Sequence, residues 1–92
     1  MIRSFRHRGM KRLYERGQRA GIGADLIAPV ERILAVLDVA AAPAALDLPR
    51  LRLHPLKGGL AGFWAVTVRA NWRIMFRFGD GDVHDVDLVD YH

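Results

Sequence analysis

The chain has no cysteine, which removes disulfides, thiolate metal sites and cysteine nucleophiles together and excludes a zinc finger. That composition fits a reducing cytoplasm. Long apolar runs are also missing. The longest such stretch, around residues 39–46, falls well short of the roughly 20 residues that a membrane-spanning helix needs. The arginine-rich start is not followed by the apolar segment of a secretion signal. Acidic residues are scarce in the first twenty positions, where Glu15 alone opposes Arg3, Arg6, Arg8, Lys11, Arg12, Arg16 and Arg19. A soluble intracellular protein, with no membrane partner, is the expectation.

What is present is 92 residues, 51% hydrophobic and 26% charged. One domain over residues 1–92 is expected, because two would each be too short to bury a core. A chain of this size buries roughly 60 to 65% of its unfolded surface, so its stability should be modest and a partner should add to it. Fourteen Lys and Arg against ten Asp and Glu give a net charge of +4, which favours polyanionic partners. Asp80, Asp82, Asp85, Asp87 and Asp90 crowd the other end. Taken alone, the basic run is as often a solvated surface as a binding one.

Residues 1–5 read as a short first strand. Met10, Leu13 and Tyr14 recur at i, i+3 and i+4 and predict a short helix, basic on its other face and stopped by Gly17. Gly17, Gly21 and Gly23 mark a loop, after which Asp25 is placed to cap a longer helix, with Pro29 in or near its first turn. Leu26, Val30, Ile33, Leu34 and Leu37 form an apolar stripe that a domain this small needs as core rather than as a cofactor groove.

Pro43 and Pro49 bracket an alanine-rich connection, and Leu51-Arg52-Leu53 alternates like a brief strand before the turn-rich loop carrying His54 and Lys57. From Phe63 the period is two. Residues 63–68, 72–78 and 83–91 read as three strands of an antiparallel meander. Trp72, Ile74, Phe76 and Phe78 alternate with Arg73, Met75 and Arg77, so one face should meet the helices while the other presents two arginines about 13 Å apart. A hairpin turning on Arg69 and Ala70 puts Trp64 and Val66 on the Arg73 face, whereas a one-residue slip puts Phe63 and Ala65 there. Asp85, Asp87, Val89 and Tyr91 alternate with Val86, Leu88, Asp90 and His92, which lets Tyr91 approach Arg73. The fold class is α+β, with an N-terminal strand and two helices packed on a C-terminal antiparallel sheet.

This order, together with GMKRLYE at 9 to 15, LRLHPLKG at 51 to 58, FWAVTVRANWRIMFRF at 63 to 78 and DVDLVDYH at 85 to 92, closely resembles the HigB branch of the RelE toxin superfamily. The resemblance covers nearly the whole chain. It implies a RelE-like fold and the toxin of a bacterial toxin–antitoxin pair, a ribosome-dependent endoribonuclease that cuts messenger RNA in the ribosomal A site. It also implies a HigA-like helix-turn-helix antitoxin, and operator DNA contacted indirectly through the antitoxin complex. Carried over by residue, the functional set is His54, Lys57, Arg73, Asp90, Tyr91 and His92. Ala70 stands where relatives often have glycine, which makes a positive-φ turn costlier, and Leu88 replaces a frequent aromatic.

The implied chemistry suits these residue types. RNA is cut without a metal when its own 2′-hydroxyl attacks the adjacent phosphate, which calls for a base, an acid for the departing 5′-oxygen and cations for the developing charge. Imidazole suits proton transfer because its unperturbed pKa of about 6.5 lies near working pH, so His54 and His92 are the acid–base candidates, their two roles left open. Asp90 orients a histidine, Lys57 and Arg73 clamp the phosphate, and Tyr91 stacks on a base or positions the hydroxyl. Arg6, Arg8, Lys11, Arg12, Arg16 and Arg77 are the expected contacts to RNA or ribosome. His84 and Asp85 beside His92 supply no closed ligand set, so neither metal nor cofactor is expected.

Each element has a plainer alternative. His54 alone is an ordinary loop histidine, the Asp-Tyr-His end a frayed tail, and Arg73 a surface partner for Asp87 worth about 1 kcal/mol or less. Two other functions remain beside the nuclease: a noncatalytic toxin of the same scaffold that binds a target such as DNA gyrase, or a passive RNA-binding module.

Overall fold

A computed structural model describes residues 1–91, and His92 lies outside them. Among the described residues the regular elements are α1 (Arg8–Arg16), α2 (Ile27–Val39), β1 (His54–Pro55), β2 (Phe63–Arg69), β3 (Trp72–Gly79) and β4 (Asp82–Asp90), with short 3₁₀ turns between. The strands form an antiparallel sheet in the order β1-β2-β3-β4.

α1 forms where the periodicity places it. His7 caps its start, its Nδ1 accepting the Met10 amide, and Gly17 ends it at φ 66°, the left-handed conformation that glycine adopts without steric cost. Met10 and Leu13 are buried while the intervening basic residues stay exposed. The loop to α2 crosses α1 at Gly9, where a Cβ would lie 2.5 Å from the Gly21 carbonyl oxygen. α2 buries Val30, Ile33, Leu34 and Leu37 as its stripe predicts. Asp25, however, does not cap it. The Leu26 amide bonds to the Gly23 carbonyl, closing a 3₁₀ turn over Ala24–Leu26 that runs directly into α2. The backbone turn replaces the side-chain cap, and Pro29 removes one of the amides that a cap would serve.

The helices cover one face of the sheet. Val66, Ile74, Phe76, Val83 and Val86 are fully buried against them. Tyr14 of α1 donates a hydrogen bond to Asp38 of α2, and Asp38 also accepts the Ile2 amide at 3.2 Å, so one carboxylate ties both helices to the N-terminus. Its acceptor role holds the Asp38 carboxyl below its usual range and pushes the Tyr14 phenol up to about 12.

Two expectations of extended structure are only partly met. Residues 1–5 make isolated parallel bridges, Ile2 to Val83 and Phe5 to Val86. A bulge in β4 at Asp85 (φ 54°) interrupts continuous pairing, and the Ser4 hydroxyl fills the gap by accepting the Asp85 amide at 2.9 Å. The Leu51-Leu53 alternation is not a strand, because Arg50 (φ 74°) and Arg52 (φ 52°) turn the chain. Only His54 and Pro55 pair with β2, opposite Ala65 and Trp64. The first hairpin takes the slipped register, Thr67 opposite Arg73, Ala65 opposite Met75 and Phe63 opposite Arg77. Ala70 makes its turn at φ 50°, and a bulge between Thr67 and Arg69 shifts the face by one residue.

Candidate active site

The face of the sheet turned away from the helices carries Arg73, Met75 and Arg77 of β3, with Phe63 and Ala65 of β2 beside them. Val89 of β4 stands opposite Arg73 and Asp87 opposite Met75. A small apolar cluster of Phe63, Ala65 and Met75, with Leu56 and Val89 packed on it, forms the floor. Above it opens a cavity of about 270 Å³ whose rim holds His54, Lys57, Arg73 and Tyr91. These four come from β1, the loop after it, β3 and the end of β4. The sheet therefore gathers residues that the sequence scatters over 38 positions, from His54 to Tyr91.

Local bonds set each group. The His54 Nδ1 lies 2.8 Å from the Arg52 carbonyl oxygen. A carbonyl only accepts, so Nδ1 carries a proton, and in the neutral form of the ring the lone pair is on Nε2. The Arg73 guanidinium donates through Nη1 to the carbonyls of Ala70 (2.7 Å) and Trp72 (3.1 Å), which anchors it to the hairpin turn. Asp87, the alternative partner for Arg73, instead accepts the Leu88 amide. Tyr91 is held through its amide to the Asn71 carbonyl while its side chain remains largely exposed. Asp90 ends β4 opposite Trp72. Its alternation places it on the opposite face from Tyr91, and the cavity lining among the described residues includes Tyr91 but not Asp90.

The expected RNA contacts divide into two groups. Arg8, Lys11, Arg12 and Arg16 share the exposed side of α1 around a shallow cleft with Glu15. Arg6 and Arg77 are engaged locally. The Arg6 guanidinium sits 4.9 Å from the centre of the Phe63 ring, and the Arg77 Nε donates to Asp85 at 2.7 Å. That hydrogen bond, with desolvation opposing it, holds the Asp85 carboxyl below its usual range. His84 directs its Nε2 to the Gly79 carbonyl, so His84 and Asp85 both have protein partners.

Leu56 and Leu60 in the cavity lining escaped the sequence reading. Leu56 and Leu60 flank Lys57, and Met75 lies between the two arginines at a period of two, which is the signal that marks them as its neighbours.

The family model for the RelE-like toxin of the type II toxin–antitoxin system HigB matches residues 3–92. Endoribonuclease HigB of Proteus vulgaris is 42% identical over 92 residues, all of both chains. Among solved structures, YafQ from E. coli strain BL21(DE3) superposes with a TM-score of 0.66 at 13% identity, covering 98% of this chain and 91% of its own. The YoeB-YefM complex from Staphylococcus aureus gives 0.64 at 14% identity, with 100% and 95% covered. At these identities the two structures speak for the fold, which is RelE-like, and the full-length matches carry the assignment: the chain belongs to the HigB family of RelE-like toxins of type II toxin–antitoxin systems.

Proposed function

We propose that this toxin is a ribosome-dependent endoribonuclease that cuts messenger RNA in the ribosomal A site, using the cavity on the open face of the sheet. Family membership and a full-length relative named as an endoribonuclease support the nuclease activity. The observation that carries the site is the convergence of His54, Lys57, Arg73 and Tyr91 on one cavity.

In this mechanism His54 is the base. Its Nε2 takes the proton of the RNA 2′-hydroxyl as that oxygen attacks the adjacent phosphorus, the Nδ1 proton staying with the Arg52 carbonyl. Lys57 and Arg73 bind the non-bridging phosphate oxygens and favour the more charged transition state. His92 returns a proton to the departing 5′-oxygen, and Tyr91 orients the reacting groups at the cavity, whereas Asp90, on the other face of β4, takes no direct part. The products are a 2′,3′-cyclic phosphate and a 5′-hydroxyl, so no metal is required. The basic side of α1, with Arg6 and Arg77, meets ribosomal or messenger RNA. A HigA-like helix-turn-helix antitoxin neutralises the toxin in the bacterial cytoplasm and links it to operator DNA.

Primer extension on a message under translation in vitro tests this. Discrete cuts that require ribosomes, survive metal chelation under conditions that keep ribosomes intact, and disappear in His92→Ala are expected. Equally rapid cutting of ribosome-free message removes the ribosome from the mechanism. Absence of cuts by the folded chain redirects it to gyrase or to passive RNA binding.

A further inference from the structure

The apolar floor of the open face, Phe63, Ala65 and Met75, has an arginine of β3 at each end. Arg73 stands at the cavity, and Arg77, about 13 Å away by strand rise, stands opposite Phe63 and outside the cavity lining. Arg6 joins this second end from beyond the edge of the sheet. It leaves the N-terminal segment, which bridges to β4 at Phe5 and Val86, and sets its guanidinium 4.9 Å from the centre of the Phe63 ring. The cluster is held at a conformational cost. Asp85, at φ 54° in the bulge of β4, donates its amide to the Ser4 hydroxyl at 2.9 Å and accepts the Arg77 Nε at 2.7 Å. That hydrogen bond, against desolvation, lowers the Asp85 carboxyl first, and the charges of Arg77 and Arg6 lower it further, so Arg6 is within electrostatic reach of the same carboxylate. Among the described residues Arg6 has no carboxylate within ion-pair distance, and Arg77 engages Asp85 through Nε, which leaves its two Nη groups for another acceptor. A network built for stability alone would balance its charges. This one sets two guanidinium groups around one carboxylate.

We propose that Arg6 and Arg77 form a second backbone subsite for messenger RNA, which grips a phosphate within about four nucleotides of the one that is cut, with Asp85 as the positioning residue that aims Arg77. The proposal rests on the cleavage reading and adds to it the length of message that the toxin holds. Geometry sets the distance. Stacked nucleotides advance roughly 3.4 Å each along a strand, so about 13 Å spans about four of them, and fewer when the strand is extended. Chemistry sets the ligand. A guanidinium stacked on an aromatic ring keeps its N–H groups in the plane of the fork, open to phosphate oxygens, while the ring fixes that plane. Position sets which RNA is bound. The exposed cations of α1 lie on the helical layer, across the sheet from the cavity. Arg6 and Arg77 share the cavity's own face, so the strand that fills the cavity crosses them.

The test uses the full-length toxin at sub-saturating concentration and a synthetic message under translation in vitro. One uncharged methylphosphonate linkage is moved a nucleotide at a time away from the cut, on both sides. With the wild-type toxin, one position within about four nucleotides of the cut is expected to lower cleavage about tenfold. The double variant Arg6→Gln/Arg77→Gln, its fold checked by thermal melting, should cut the unmodified message about tenfold more slowly than the wild type. It should also be indifferent to the linkage that the wild type senses, because each change removes the same contact. Asp85→Asn should raise KM for the message-loaded ribosome about threefold and move kcat less. A wild-type toxin that cuts the unmodified message and every modified one alike overturns the proposal and leaves the nuclease reading standing. A double variant that loses cleavage yet senses the linkage as the wild type does assigns Arg6 and Arg77 to ribosomal RNA and overturns it too. A wild-type chain that cuts no translated message removes the nuclease reading, and the proposal with it.

Discussion

The two faces of β3 differ sharply, although they alternate residue by residue in one strand. Ile74 and Phe76 are fully buried against the helices, whereas Arg73 and Arg77 stand on the opposite face, the first at the cavity and the second paired with Asp85. The period of two that builds a sheet thus separates what holds the fold from what the proposed mechanism uses for chemistry. Mutations on the two faces should therefore separate stability from cleavage.

The largest effect is expected on the covered face. Phe76→Ala should destabilise the chain by about 3 to 5 kcal/mol, out of a total of roughly 5 to 14 kcal/mol for a domain of this length. Urea unfolding measures that loss, and cleavage per folded molecule should be unchanged. A variant that melts like the wild type would break the division of labour between the faces.

Tyr14→Phe removes the hydrogen bond to Asp38 and should cost about 1.5 kcal/mol at neutral pH. The pH dependence follows from the two shifts. The phenol is raised to about 12 in the folded state, so its contribution is complete below its unfolded pKa of about 10 and fades as pH rises through 12. The Asp38 carboxyl is depressed, so its contribution is present above its unfolded pKa of about 4 and is lost on acidification. Melting temperatures of the two proteins should therefore converge at both extremes of pH and differ most between them.

Arg77→Ala sharpens the contrast within the open face. Its ion pair with Asp85 is partly exposed, so the stability change should be under about 1 kcal/mol. The fall in cleavage should be much smaller than for Arg73→Ala, because Arg77 does not line the cavity. Parallel thermal melts and cleavage rates check both statements. The smallest effect has the opposite sign. Ala70→Gly relieves a left-handed alanine at φ 50° and should stabilise by about 0.5 kcal/mol, the relief being partly offset by the greater freedom of the unfolded chain.

The helices were legible because a stripe such as Val30, Ile33, Leu34 and Leu37 is a local pattern, and local patterns survive into the fold. The hairpin register was not legible. The bulge between Thr67 and Arg69 decides it, and nothing in the alternation of β2 announces an extra residue. Nor did Asp25 reveal that a backbone turn would take its place, since that depends on the bond between Gly23 and Leu26. Of the set that the family resemblance implies, His54, Lys57, Arg73 and Tyr91 meet at one cavity, while Asp90 does not line it and His92 lies outside the described residues. Leu56 and Leu60 were not legible, because apolar residues read as core until a structure shows which of them face an opening, whereas the period of two had set Met75 on the arginine face. The anchoring of Arg73 by the Ala70 and Trp72 carbonyls was equally hidden, because it arises only once the turn has formed.

In the proposed mechanism chemistry resides on the open face and is independent of the core beneath it. The most direct test is Arg73→Ala, assayed for cleavage of translated message and for thermal unfolding on the same preparation. The account predicts a fall in cleavage of about a hundredfold or more with the melting temperature within a few degrees of the wild type. Full cleavage by the folded variant would contradict it.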